Sequence, residues 1–270
     1  MRDNGWPADR IDTQHAHSAR VYDYILGGRD HYPVDQEAGD AAVREWPAMR
    51  VAFRANRDFM NRVVRHLAEK EGIRQFLDIG TGIPTQPNLH EIAQEVSPDA
   101  RVLYVDNDPI VLTLSQGLLA STPEGRTAYV EGDIREPDAI LNAPELADTL
   151  DLGKPVGLTV IGLVQFMLDE DDACGLVRRL LAPLPSGSFL AMSIVTADMA
   201  PEVADVGRQY TAHGMTTRLR TRAEAAEFFT GLDMVEPGIV PVHRWRPDPA
   251  VAPSIRDEDI AAYGALARKP

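Results

Sequence analysis

The sequence predicts an α/β fold, a three-layer sandwich in which helices cover both faces of a mostly parallel sheet. Three observations predict it. Short apolar runs alternate with amphipathic stretches along most of the chain, the signature of successive strand–helix–strand units. The run Phe76-Leu77-Asp78-Ile79-Gly80-Thr81-Gly82 ends in an acid and two closely spaced glycines, as a strand does when it turns tightly into a helix against a ligand. A second run, Val102-Leu103-Tyr104-Val105, ends in Asp106, which places a carboxylate at the neighbouring strand end. Such a pairing is how an α/β sheet grips an adenosine-containing molecule.

The elements follow in order. Residues 1–15 are polar and expected to be loose. Residues 16–46 mix Tyr22, Tyr24, Gly27, Gly28, Arg29, Asp30, His31 and Tyr32, and read as neither a clean helix nor a clean strand. Over 53–67, Phe59, Val63, Val64 and Leu67 recur at helical spacing, with Arg57, Arg62 and Arg65 on the other face, and Gly72 ends the helix. The first strand is 75–79. A helix is expected at 89–96, closed by Ser97-Pro98, and a second strand at 101–105. Asp108-Pro109 opens another helix, since Asp caps well and Pro suits the first turn. The third strand, 127–130, runs into Glu131-Gly132-Asp133.

A helix and loop over 137–150 lead to 156–163, whose unbroken apolar character marks a central parallel strand. The helix expected at 169–181 carries acids in its first turn and Arg178-Arg179 in its last, as the helix dipole prefers. A fifth strand covers 188–195. Helices are expected at 200–212 and 221–229, the latter opened by a capping box of Thr221 and Glu224. Strands at 232–235 and 263–267 flank a proline-rich stretch, 237–253. Residues 1–52 are expected to form an N-terminal helical lid on one compact unit, 53–270.

With 270 residues and 44% hydrophobic content, the chain can bury a sizeable core. Its formal charge of −14, from 41 acids and 27 bases, repels phosphate backbones and anionic bilayers, which disfavours nucleic acid and membrane as partners. Cys174 is the only cysteine, so no internal disulfide forms; it reads as a small helix residue in a protein of the reducing cytoplasm. No secretory pattern opens the chain. The uncharged stretch 180–197 is broken by Pro183, Pro185 and Gly187, and reads as a helix end, a turn and a buried strand.

Gly80 and Gly82 let the backbone approach a ligand. Asp106 is placed to accept hydrogen bonds from both ribose hydroxyls, since Asp108 is the better helix cap. Asp133 is placed to meet an adenine amino group, or else is a surface turn acid, and Ile134 to cover a ring face. A dinucleotide site would want a third glycine, which the turn Gly80-Thr81-Gly82-Ile83-Pro84-Thr85 lacks, and Pro84 removes an amide that could bind phosphate. No Walker-type loop occurs. These points favour S-adenosylmethionine, whose amino-acid tail needs no phosphate cradle.

Asp78-x-Gly80-x-Gly82, Asp106 and Asp133 occur in the order found in class I S-adenosylmethionine-dependent methyltransferases, which the chain resembles. More narrowly, it resembles over nearly its whole length the bacterial S-adenosyl methyltransferase family once described as a domain of unknown function. The residues that carry this resemblance are Ala19-Arg20-Val21-Tyr22-Asp23-Tyr24-Ile25-Leu26-Gly27-Gly28, Arg54-Ala55-Asn56-Arg57, Val105-Asp106-Asn107-Asp108-Pro109 and Trp245-Arg246-Pro247, with residues 76–85 and 263–270. The resemblance implies a seven-stranded, Rossmann-like sheet in the order 3-2-1-4-5-7-6 with strand seven antiparallel. It implies S-adenosylmethionine at the carboxyl ends of strands one to four. The expected binding set is Asp78, Gly80, Thr81, Gly82, Asp106, Asn107, Asp133 and Ile134, with Arg57 for the carboxylate. Family members often carry a histidine near the end of strand four, where this chain has Gln165-Phe166.

The expected function is methyl transfer to an unidentified, small-molecule acceptor. The alternative is a protein that binds S-adenosylmethionine or S-adenosylhomocysteine without turnover; a nucleotide-dependent oxidoreductase is disfavoured by the glycine turn. The catalytic group is unknown. Pocket candidates are Tyr22, Tyr24, His31 and Gln165, with His213 beside them; Arg54, Asn56 and Arg57 are placed to bind the cofactor carboxylate or an acidic substrate. His15 and His17 are spaced like a metal pair but have no Cys or acidic partner at ligand spacing, so no metal is expected.

Overall fold

The structure is a computed structural model that describes residues 11–118, 120–247 and 255–270. The first ten residues, expected to be loose, and part of the proline-rich stretch lie outside the described residues. Among the described residues, eight strands form one sheet: β1 (Gln75–Ile79), β2 (Arg101–Asp106), β3 (Arg126–Glu131), β4 (Gly157–Ile161), β5 (Phe189–Val195), β6 (Asp233–Met234), β7 (Val240–Pro241) and β8 (Ala262–Arg268). Their order is β3-β2-β1-β4-β5-β8-β6, with β7 also pairing β8. The first five run parallel, and β8 is antiparallel to β5. This is the expected topology with one addition: β7 falls inside the proline-rich stretch, where a two-residue strand leaves no periodicity to read.

The central strands β1, β2, β4, β5 and β8 are buried on both faces and their side chains alternate between two cores. Leu77, Ile79, Leu103, Val105, Leu190 and Met192 enter the core beneath α6 (Pro137–Leu141), α7 (Pro144–Thr149), α8 (Ala173–Leu181) and α10 (Arg222–Glu227). Phe76, Val102, Tyr104, Phe189 and Ala191 enter the core beneath α3 (Met49–Glu69) and α4 (Leu89–Val96). There Phe59 meets the fully buried Trp245 edge to face, with ring centroids 5.6 Å apart.

The N-terminal segment is helical, as expected of the lid, although its local pattern gave no clean helix. Residues 16–46 contain two helices, α1 (Ser18–Leu26) and α2 (Pro33–Glu45). They hide from a hydrophobic reading because they bury charge: Arg20, Asp23 and Asp35 are all buried. The following helix α3 starts at Met49 rather than at 53, so it runs through the expected lid boundary. Val21, Ile25, Ala38, Trp46 and Met49 share a third core with Val206 and Tyr210 of α9 (Val203–Ala212). The helix expected over 169–181 is broken. Asp172 adopts a left-handed conformation (φ 49°) and its side chain caps Gly175, so α8 begins only at Ala173. The Thr221–Glu224 capping box forms as expected. Among the described residues, no helix is long and apolar enough to cross a membrane.

Candidate functional site

The glycine turn is fixed by the strand beside it. Gly80 and Gly82 have φ of 73° and 68°, values that favour glycine. The Gly80 and Thr81 amides both donate to the Val105 carbonyl at 2.8 and 3.2 Å. The Gly82 amide donates to Asp106 Oδ2 (2.8 Å), while the Asp108 amide donates to Oδ1 (3.0 Å). Asp106 is thus buried and aimed by two backbone donors, and each oxygen keeps a lone pair for a ligand. A methyl group on Gly82 would meet nothing within 4 Å, whereas one on Gly80 would sit 2.8 Å from the Leu163 side chain.

A cavity of about 600 Å³ opens in front of this turn. Asp78, Gly80, Thr81, Gly82, Asp106, Asn107, Asp133, Ile134 and Arg57 all line it. Asp78 is buried and accepts a hydrogen bond from Thr159 Oγ1 (2.5 Å). Burial pushes its carboxyl up to about 6 against that hydrogen bond. Burial also raises the Asp106 carboxyl. Neither acid has a salt-bridge partner among the described residues, so this end of the cavity holds negative charge without a protein cation bonded to it. Asn107 Nδ2 donates to Asp133 Oδ2 (2.9 Å), and Arg135 pairs with the same carboxylate (3.3 Å). Arg57 donates to the carbonyls of Thr85 and Pro87 at 2.6 and 2.9 Å, so it clamps the glycine loop as well as facing the cavity.

The other candidates divide. Tyr22, Asn56 and Gln165 line the cavity; Tyr24, His31, Arg54 and His213 do not. Tyr22 and Tyr24 lie about 200° apart on a helix and cannot share a face. Tyr22 stacks on Phe53 (4.4 Å) and donates to the Phe53 carbonyl (3.0 Å). Tyr24 instead donates to Asp40 (2.6 Å) and packs against His31, whose ring nitrogen lies 3.5 Å from Asp23. Arg54 is exposed, and His213 bonds back to the Gln209 carbonyl (2.8 Å). Cys174 is half-buried on α8, and burial raises its thiol.

Sequence reasoning missed the brace between the N-terminal helices and the second strand end. Asp108 opens α5 (Pro109–Leu118), as expected, accepting from the Ile110 amide (3.0 Å), and also takes His17 Nδ1 at 2.9 Å. Buried Arg20 lies 3.5 Å from Asp108 and 3.6 Å from buried Asp35. Burial works against charge on His17, but the Asp108 carboxylate prevails and holds its pKa above the usual range. Buried Arg220 was missed too; it donates to the Val164 and Met167 carbonyls at 2.6 and 3.0 Å and holds the loop that presents Gln165. The far end of the cavity, walled by Trp46, Phe53, Phe166 and Tyr210, had no sequence signal, because distant segments build it.

The model of the S-adenosyl methyltransferase family matches residues 4–270. A DUF574 family protein from Streptomyces avermitilis is 72% identical, superposes with a TM-score of 0.95, and is matched over 97% of this chain and 100% of its own. A "putative methyltransferase" from Thermobifida fusca is 34% identical, with a TM-score of 0.89 and 98% of each chain covered. Human N-acetylserotonin methyltransferase, solved in complex with SAM, shares the fold at 13% identity, with a TM-score of 0.51 over 93% of this chain and 63% of its own. No curated protein matches the chain. The chain belongs to the S-adenosyl methyltransferase family, and its methyl donor is S-adenosylmethionine.

Proposed function

We propose that the protein methylates a small, uncharged organic molecule at the far end of this cavity. The observation that carries the proposal is the division of the lining into a carboxylate-rich sheet edge and an apolar, aromatic chamber under α1, α3 and α9. The donor supplies an electrophilic methyl group on a sulfonium. The protein's part is to hold, orient and exclude water. Asp106 accepts the ribose hydroxyls, Asp133 and Ile134 meet the adenine, and Gly80 and Gly82 admit the chain of the nucleoside. Asp78 faces the cofactor's ammonium, whose charge balances a carboxylate that the protein leaves without a salt bridge. Arg57 orients the loop and offers its charge to the carboxylate. The helices before α3, braced through His17, Arg20 and Asp108, act as a lid over the chamber.

Among the described residues, the lining from α1 and α9 carries no charged side chain, and the volume of the cavity suits a small ligand beside the donor. Isotopic methyl transfer from labelled S-adenosylmethionine into a metabolite extract tests the proposal. Label in a small organic product is expected. Label only in protein or nucleic acid, or binding of S-adenosylmethionine with no transfer into extract after extract, would overturn it.

A further inference from the structure

We propose that His17 is a cofactor-binding residue whose Nε2 donates a hydrogen bond to a ribose hydroxyl oxygen of the methyl donor, while Asp106 accepts that hydroxyl's hydrogen. The inference deepens the methyltransferase reading above and rests on it. His17 caps α1 and is firmly held. Its backbone amide donates to Asp35 Oδ1 (2.9 Å), its carbonyl accepts from the Val21 amide (2.9 Å), and its Nδ1 lies 2.9 Å from Asp108 Oδ2. The Ala19 amide also approaches Nδ1, at 3.4 Å, but the carboxylate is nearer and charged, so Nδ1 donates to Asp108. That bond turns the Nδ1 edge of the ring into the protein, since the Asp108 side chain is only 5% exposed. The His17 side chain nevertheless keeps 31% exposure and lines the cavity. What it shows there is the opposite edge of the ring, which carries Nε2. Among the described residues, none bonds Nε2.

Place and charge both suit a sugar hydroxyl. Asp108 follows Asp106 closely, and its amide donates to Asp106 Oδ1 (3.0 Å), so the ring stands beside the carboxylate that takes the ribose. Burial and the Arg20 cation oppose charge on the ring, but Asp108 and Asp106 outweigh them and favour its protonated form. As an imidazolium, His17 donates from both nitrogens. A carboxylate only accepts, so Asp106 meets the hydrogens of the ribose hydroxyls and leaves their oxygens in need of donors. Neighbouring donors are spent: the Gly82 and Asp108 amides on Asp106, and the Asn107 side chain on Asp133. Arg20 is buried, gives its NH groups to the Asp12 and His15 carbonyls, and stays out of the lining. Among the described lid residues that line the cavity, His17 alone can carry a charge. A hydroxyl held between Asp106 and His17 ties the sheet to the lid through the cofactor.

Calorimetry with S-adenosylhomocysteine and its 2′-deoxy and 3′-deoxy analogues tests this. Failure of S-adenosylhomocysteine to bind the wild type would overturn the cofactor reading itself. Two variants separate the ring nitrogens. Asparagine places its amide nitrogen where Nδ1 stands and caps a helix well, so His17→Asn keeps the bond to Asp108 and loses Nε2. Glutamine reaches the Nε2 position, so His17→Gln keeps a donor towards the ribose. His17→Asn should weaken S-adenosylhomocysteine about tenfold or more. It should leave one deoxy analogue bound as in the wild type, because the contacted oxygen is already gone. His17→Gln should bind S-adenosylhomocysteine more tightly than His17→Asn does. Nitrogen NMR of isotope-labelled wild type needs no variant to fold: the His17 Nε2 resonance should move on adding S-adenosylhomocysteine, and move less with the analogue that lacks the contacted hydroxyl. The proposal is overturned if His17→Asn binds S-adenosylhomocysteine as the wild type does, or if it weakens all three ligands by the same factor, as a purely structural role requires. It is equally overturned if His17→Gln binds no better than His17→Asn, or if S-adenosylhomocysteine binds without moving the Nε2 resonance.

Discussion

Replacing Asp78 by Asn should make the ligand-free protein more stable while weakening its hold on the cofactor. Asp78 is buried at the end of β1, and burial lifts its carboxyl from an ordinary 3.8 to about 6. An acid whose pKa is higher in the folded state than in the unfolded chain binds its proton more tightly when folded. Its contribution is neutral below the unfolded value, becomes destabilising as pH rises from 3.8 towards 6, and is fully adverse above that. At about 1.4 kcal/mol per pH unit, the penalty at pH 7.5 is about 3 kcal/mol. Asparagine keeps the shape and the acceptor for Thr159 but carries no charge. Urea unfolding at pH 7.5 should show Asp78→Asn more stable by about 3 kcal/mol, or roughly 6–10 °C in Tm. The gain should fall to about half at pH 5 and vanish near pH 3.5. S-Adenosylhomocysteine affinity should fall in the same variant, and in the wild type it should decline as pH drops below about 6, where Asp78 takes up its proton. A variant less stable than wild type at pH 7.5, or a gain that does not change with pH, would refute the reasoning.

Three other outcomes follow from the same geometry. Gly80→Ala and Gly82→Ala should each lose about 1–2 kcal/mol for the left-handed backbone. Gly80→Ala should lose more, because its methyl group meets Leu163, and urea titration separates the two. Arg20→Leu should cost about 3–5 kcal/mol, because it leaves buried Asp35 without its cation and Asp108 with His17 alone; Arg20→Lys should recover part of it. Limited proteolysis should then cut within α1 and α2 first, and protection equal to wild type would contradict the brace.

Much of the sheet was legible because parallel strands buried on both faces announce themselves as unbroken apolar runs between glycine and proline signals. Residues 75–79 and 101–105 were readable for that reason, and Asp106 was placed by where its strand ends. The bounds and faces of the N-terminal helices were illegible because Arg20, Asp23 and Asp35 occupy positions that a periodicity argument reserves for apolar groups. Tyr24 and His31 were read as facing the pocket from their chemistry alone; without a helix assignment, nothing distinguished the faces of α1. Asp172 broke a predicted helix because a single left-handed residue leaves the flanking composition unchanged. Most of the nucleoside end comes from one strand–turn–strand unit and could be read locally. The acceptor end is assembled from α1, α3, the loop after β4 and α9, and only tertiary structure brings Asn56 and Gln165 together.

The account turns on Asp106 as the grip on the nucleoside sugar, and calorimetry of S-adenosylhomocysteine with wild type and Asp106→Ala tests it most directly. Two hydrogen bonds to a buried carboxylate are worth about 1.5–3 kcal/mol each, so the variant should bind about 10²–10⁴-fold more weakly while retaining a cooperative unfolding transition. Equal affinity in the folded variant, or no binding by the wild type, would contradict it.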